Sequence, residues 1–132
     1  MTPVPAELQL LGFGCLIVVA QIVLVAQLGD RQYGLRWAAG PRDEPAAPPG
    51  VLLGRARRAL ANLLETFPVF VAAVLAVAVV RRFDTLTLIG AHLYVWSRVA
   101  YLGLYLAGVP LLRSLVWNMA LLGIVLILWR LA

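Results

Sequence analysis

Arg55, Arg58, Asn62 and Glu65 are spaced three, four and three residues apart at the opening of an otherwise apolar run. At ~100° per residue a helix gathers them within an arc of roughly 80°, with Arg57 pointing away. Ionisable groups on one face of a membrane helix are expensive and look into a protein interior or a wet cavity. A second set follows in Arg98, Tyr101 and Tyr105, which share a face at spacings three and four, and Arg113 comes shortly after. Guanidiniums pair with carboxylates through fixed forks, while Glu65 can receive an ammonium or a peptide N–H. The set therefore suits a small zwitterion with extra carboxylates. An arginine beside a thiol would also favour its thiolate, each unit of pKa lowering being ~1.4 kcal/mol of differential stabilisation.

The elements that must position these groups are membrane helices. Of 132 residues, 63% are hydrophobic and only 13% charged, which is too apolar for a soluble domain. Four spans of ~20 residues would use most of the chain, so the sequence predicts one all-α integral membrane domain with no room for a second. The spans are expected at about 8–28, 58–80, 85–106 and 111–129, in up-down order, with a long loop over 29–54. The first run is charge-free and too long for a signal peptide core, and no basic residue precedes it, so it reads as a retained helix. Gly40, Pro41, Pro45, Pro48, Pro49 and Gly50 break regular structure in the loop, where Arg31, Arg36 and Arg42 face Asp30, Asp43 and Glu44. It is either a connector or a functional cover. Pro68 lies within the second span, where it can kink the helix. Asp84 or Thr85 is placed to cap the third, and Pro110 to open the fourth.

The net charge of +5 comes from arginine alone. In a membrane chain those arginines report orientation or an anionic ligand, and nothing points to nucleic acid or to a metal site. Arg31, Arg36, Arg42, Arg55, Arg57, Arg58 and Arg113 share one side, against Arg81, Arg82 and Arg130 on the other, which places the 29–54 loop in the cytoplasm. Arg98 then lies ~14 Å from the cytoplasmic end of its helix at ~1.5 Å per residue. All four helices deliver polar groups to that leaflet, and the other leaflet is expected to receive almost nothing comparable.

Each piece has a plainer reading. Arg55, Arg57 and Arg58 could be interfacial anchors that snorkel to head groups. Glu65 and Arg98 could be a structural pair, and Tyr101 and Tyr105 ordinary interface aromatics. His92, roughly 120° from the Arg98 face, reads as structural or lipid-interface, and Trp37, Trp96, Trp117 and Trp129 as packing or belt residues. Cys15, the single cysteine, is a packing residue. Their convergence favours a binding site.

The chain resembles the MAPEG family, membrane-associated proteins in eicosanoid and glutathione metabolism. The resemblance covers most of the chain. It rests on Arg55-x-x-Arg58-Ala59-x-x-Asn62-x-x-Glu65-x-x-Pro68, on Arg98-x-x-Tyr101-x-x-x-Tyr105, and on Arg113-Ser114. The loop sequence Gly40-Pro41-Arg42-Asp43-Glu44-Pro45 looks like that of bacterial members, which implies a bacterial inner membrane. The resemblance implies a four-helix bundle that forms a homotrimer, with glutathione as bound co-substrate between subunits near the cytoplasmic side. Carried over, Arg58, Asn62, Glu65, Tyr101 and Tyr105 hold glutathione and Arg98 supports them. Arg113 stabilises the thiolate for attack on a lipophilic electrophile or peroxide, and Arg31 matches an arginine that a neighbouring subunit contributes. Leu60 stands where several members have histidine, and Ala61 where some have a polar residue.

The function expected is that of a membrane-bound glutathione-dependent transferase or peroxidase acting on lipophilic small molecules that enter from membrane lipid. The main alternative keeps the family's bundle and binds a lipid or anionic ligand without turnover. A small cation exporter of similar size would need a membrane-embedded acidic residue in the first helix, and the expected span at 8–28 has none.

Overall fold

The computed structural model describes residues 3–43 and 46–132. Glu44 and Pro45, part of the loop pattern read above, lie outside the described residues. The described chain is all-helical: α1 (Ala6–Tyr33), a short α2 (Leu35–Ala39), α3 (Val51–Val79), α4 (Thr85–Ala107) and α5 (Pro110–Leu128), closed by a 3₁₀ turn over Trp129–Leu131. The α4–α5 pair shares the most extensive interface, and α4 also packs on α1 and α3. The core follows from helical spacing. Phe70, Ala73, Val74 and Val77 of α3 meet Ala91, Tyr94 and Val95 of α4 and Ala120, Ile124 and Ile127 of α5. Phe70 stacks on Tyr94 with ring centroids 4.1 Å apart.

One correction concerns the long loop. The 29–54 segment is not irregular throughout: α1 runs on to Tyr33, α2 follows, and α3 begins at Val51. Hydropathy marks the hydrocarbon-crossing part of a helix, whereas the backbone ladder continues past it into the polar zone. Gly34, at φ 83°, makes the break between α1 and α2. What remains of the loop is tied back to α1. Gln32 Nε2 donates to the Pro48 carbonyl at 3.0 Å, the Gly50 N–H donates to Gln32 Oε1 at 2.8 Å, and Tyr33 Oη donates to the Ala47 carbonyl at 2.9 Å.

Among the described residues, three helices are long and apolar enough by composition to cross a membrane: Ala6–Tyr33, Val51–Val79 and Pro110–Leu131. The third expected span, α4, carries Thr85, Thr87, His92, Ser97, Arg98 and tyrosines at 94, 101 and 105. Most of these turn inward, since Thr87, Tyr94, Ser97, Arg98 and Tyr101 are all buried by protein. Its buried polar residues thus gather on the face packed against α1, α3 and α5, while Ile89, Trp96 and Val99 are exposed on the other. α3 runs unbroken through Pro68.

Helix ends are capped as their residues allow. Asp84 Oδ1 accepts from the N–H groups of Leu86 and Thr87, and Thr87 Oγ1 accepts from the Asp84 N–H at 2.8 Å, a reciprocal capping box. Pro110 opens α5. Between them α4 ends on Gly108 in the left-handed conformation, φ 78°.

The end of the molecule that holds Asp84 also carries more polar structure than expected. Glu7 belongs to the first turn of α1 and is only 5% exposed. Thr87 Oγ1 lies 2.7 Å from its Oε1. Arg130 pairs with Asp84 at 2.7 Å, and Arg82 donates to the Arg130 carbonyl. The expectation that this end would receive almost nothing is thus overturned. α1 does hold acidic residues, although Glu7 sits in its first turn beside Thr87 and Asp30 near its other end, neither in mid-span.

Candidate functional site

Arg98 is the hub of the buried polar groups. It is 2% exposed, and α4 points it at the stripe on α3. Its Nη1 donates to Asn62 Oδ1 at 2.8 Å, and its Nη2 donates to Thr66 Oγ1. Thr66 in turn lies 3.1 Å from Tyr94 Oη and donates to the Leu63 carbonyl. The guanidinium sits between two rings, 5.4 Å from the centroid of Tyr94 and 5.3 Å from that of Tyr101. The structural pair with Glu65 does not form. Arg98 takes Asn62 and Thr66 instead, and Glu65 is exposed on the neighbouring strip of α3.

Beyond this hub opens a cavity of about 350 Å³, lined by Asn62 of α3, Tyr101 and Tyr105 of α4, and Arg113, Ser114, Trp117 and Asn118 of α5. Tyr101 and Tyr105 meet edge to face with centroids 5.5 Å apart. Two guanidiniums address the Tyr105 ring: Arg113 at 4.6 Å and Arg58 at 6.0 Å from its centroid. One phenol therefore brings together a charge from α3 and a charge from α5.

Arg113, Ser114, Trp117 and Asn118 recur at the spacing of a single face of α5, so one helix orientation presents all four. The lining is rich in donors and contains no carboxylate. Two buried N–H groups here have no partner among the described residues, Arg98 Nε and Trp117 Nε1. Unpaired buried donors are costly, and an anionic ligand or ordered water would satisfy them. This donor set fits an anionic ligand that carries carboxylates.

Of the residues singled out from sequence, the structure brings Asn62, Tyr101, Tyr105 and Arg113 to the cavity, with Arg98 behind Asn62 and Arg58 near Tyr105. It leaves Glu65 and Arg31 outside the lining, both exposed. Sequence reasoning missed Thr66, Tyr94, Asn118 and the cavity role of Trp117. A signal existed for the last two in the run of polar positions that continues Arg113-Ser114 along one face of α5. Arg55, by contrast, is structural: its Nη1 donates to the Leu106 carbonyl at 2.9 Å, at the C-terminus of α4. Arg57 lies over the Tyr33 ring at 5.7 Å, on the opposite side from the stripe.

The family model of the MAPEG family matches residues 10–132. The chain belongs to the MAPEG family. The match includes every residue of the cavity and of the Arg98 hub. Among the described residues before it, Glu7 takes part in the buried polar structure. With its three apolar helices, this MAPEG chain is an integral membrane protein. No curated protein matches the chain, and no solved structure does.

Proposed function

We propose that the protein is a membrane-bound, glutathione-dependent transferase or peroxidase acting on lipophilic electrophiles or hydroperoxides. The observation that carries this reading is the donor-lined cavity in which Arg113, Tyr105, Tyr101 and Asn62 converge in front of buried Arg98. Family membership is compatible with it.

In this reading the four long helices form a bundle, α4 included, and three copies assemble. The chain lies in a bacterial inner membrane with the segment before α3 in the cytoplasm. Glutathione supplies the thiol nucleophile. Arg58, Asn62, Tyr101 and Tyr105 hold its carboxylates and peptide groups, and Glu65 takes its ammonium. Arg31 reaches in from a neighbouring copy, which accounts for its exposure in a single chain. Arg98 holds Asn62 in place and offers its unpaired Nε–H. Arg113 stabilises the thiolate by charge, so no general base is required. The flat face of Tyr105 fixes that guanidinium in advance, which limits the reorganisation needed as charge develops.

Two measurements test the proposal. Glutathione should raise the thermal unfolding temperature of the detergent-solubilised protein. Arg113→Ala should retain that shift while losing the thiolate absorbance and ~100-fold of the turnover with an aromatic halide or a lipid hydroperoxide. A glutathione-dependent shift without turnover of either substrate would favour the non-enzymatic alternative, and no shift at all would sink both the ligand and the mechanism.

A further inference from the structure

A second cavity of about 560 Å³ lies between α4 and α5, on the far side of α5 from the donor-lined one. Val116 and Met119 face it, whereas Arg113, Ser114, Trp117 and Asn118 face the other. At ~100° per residue those two sets point roughly 160° apart. An adjoining cleft of about 380 Å³ reaches α1, and His92 and Trp96 line both. No charged residue lines the larger cavity, whose polar groups are His92 and Ser97.

Trp96 Nε1 donates to His92 Nδ1 at 3.2 Å. That hydrogen bond assigns the neutral imidazole its acceptor at Nδ1, and so leaves the proton on Nε2. Nε2–H has no acceptor among the described residues. His92 stands seven residues past Thr85, ~10 Å along α4 at ~1.5 Å per residue. Within a bilayer such a donor has no water to turn to. The indole of Trp96, 54% exposed, supplies a flat wall beside it.

We infer that this cleft binds a neutral, planar lipophile bearing a ring carbonyl, of the quinone class, with His92 Nε2–H donating to the carbonyl oxygen and Trp96 packing on the ring. The absence of lining charge disfavours a phospholipid head group, and the size lies within the ~300–1,000 Å³ of small-molecule sites. The ligand would not touch Arg113, so this is a site separate from the thiol chemistry. The inference rests on the bilayer placement of α4 proposed above, but not on glutathione.

The probe is a decyl-substituted benzoquinone, which quenches tryptophan fluorescence, titrated into the full chain in detergent and in lipid nanodiscs. Saturable quenching is expected. His92→Leu should weaken binding ~10-fold, the worth of one hydrogen bond to an otherwise unpaired donor. Met119→Phe should weaken it by narrowing the cleft, and Arg113→Ala should leave it unchanged. Decylbenzene should compete ~10-fold less well than the quinone. Because His92 is exposed, His92→Leu spares the core, and an unchanged melting curve verifies this. Equal binding by wild type and His92→Leu, equal competition by decylbenzene, or displacement by phosphatidylcholine at matched mole fraction would overturn the proposal. Placement is read separately with Ile89→Cys in a Cys15→Ser background. Labelling by a membrane-impermeant maleimide would refute the bilayer position of α4, whereas protection without quinone binding would refute the site alone.

Discussion

Arg98 and Arg113 divide the arginine chemistry of this protein. Arg98 is buried and committed to Asn62 and Thr66, whereas Arg113 lines the cavity over the Tyr105 ring. Arg98→Leu should cost ~2–3 kcal/mol, because Asn62, Thr66 and Tyr94 lose a charged partner in a desolvated site. A fall in thermal unfolding temperature well beyond that of Arg113→Ala would check this. Arg98→Lys should recover only part, since one ammonium cannot reproduce the guanidinium fork. The site was legible to the extent that charge and spacing carry it. Asn62, Arg98, Tyr101, Tyr105 and Arg113 stand out as polar groups at helical intervals in an apolar chain. Thr66 does not, because a threonine hydroxyl can satisfy itself on its own helix and carries little signal. Its neighbour Glu65 attracted the pairing instead. Which of two adjacent residues faces Arg98 depends on the rotation of α3, and a one-residue step is ~100°.

At the level of elements, α4 and α5 meet at their glycines. A Cβ on Gly90 would lie 2.6 Å from the Gly123 carbonyl oxygen, and one on Gly123 would lie 2.6 Å from the Gly90 carbonyl oxygen. Backbone approach this close is the way helices associate in membranes without a hydrophobic driving force. Gly123→Ala should force the pair apart and cost ~1–3 kcal/mol, as overpacking does, while Gly103→Ala, whose Cβ meets nothing within 4 Å, should be neutral or slightly stabilising. Comparative unfolding in the same detergent separates the two outcomes. Arg55 braces the other end of this hairpin by binding the Leu106 carbonyl beside Gly108. In the proposed glutathione chemistry, Arg55→Ala should therefore lower turnover rather than binding, because the α4–α5 turn sets the height of Arg113. An Arg55→Ala protein with wild-type turnover would remove that link. The α4 cap at Asp84 and the opening of α5 at Pro110 were readable from turn chemistry, whereas the short α2 was not. The start of α3 and the end of α1 were not, because residues that extend a helix past the bilayer leave no hydropathy step. The inward burial of α4 was equally hidden, since hydropathy cannot separate a central helix with satisfied polar groups from a poor span.

For the whole molecule, the proposed glutathione site is incomplete within a single chain. Glu65 and Arg31 lie outside the cavity, and large apolar side chains such as Phe13, Leu16, Val19 and Leu64 are exposed along α1 and α3. If three copies assemble and share sites, Arg31→Ala protein mixed with Arg113→Ala protein should regain activity, because hybrid interfaces reunite the two arginines. Failure of mixed oligomers to recover turnover would place both arginines on one subunit or remove Arg31 from the site. Nothing in the helical periodicity of one chain encodes this, since lipid and a second copy select the same Leu, Val and Phe.

The Glu7–Thr87 contact bears on how the chain is made. The carboxylate leaves the ribosome early, and the hydroxyl that receives it follows 80 residues later. Until α4 arrives, the start of α1 must keep that charge at the water interface, because an unpartnered carboxylate does not enter hydrocarbon readily. α1, made before α4, thus takes its final depth only once α4 has arrived. A nascent chain halted after α3 should leave the α1 terminus open to aqueous reagents, and one halted after α4 should close it.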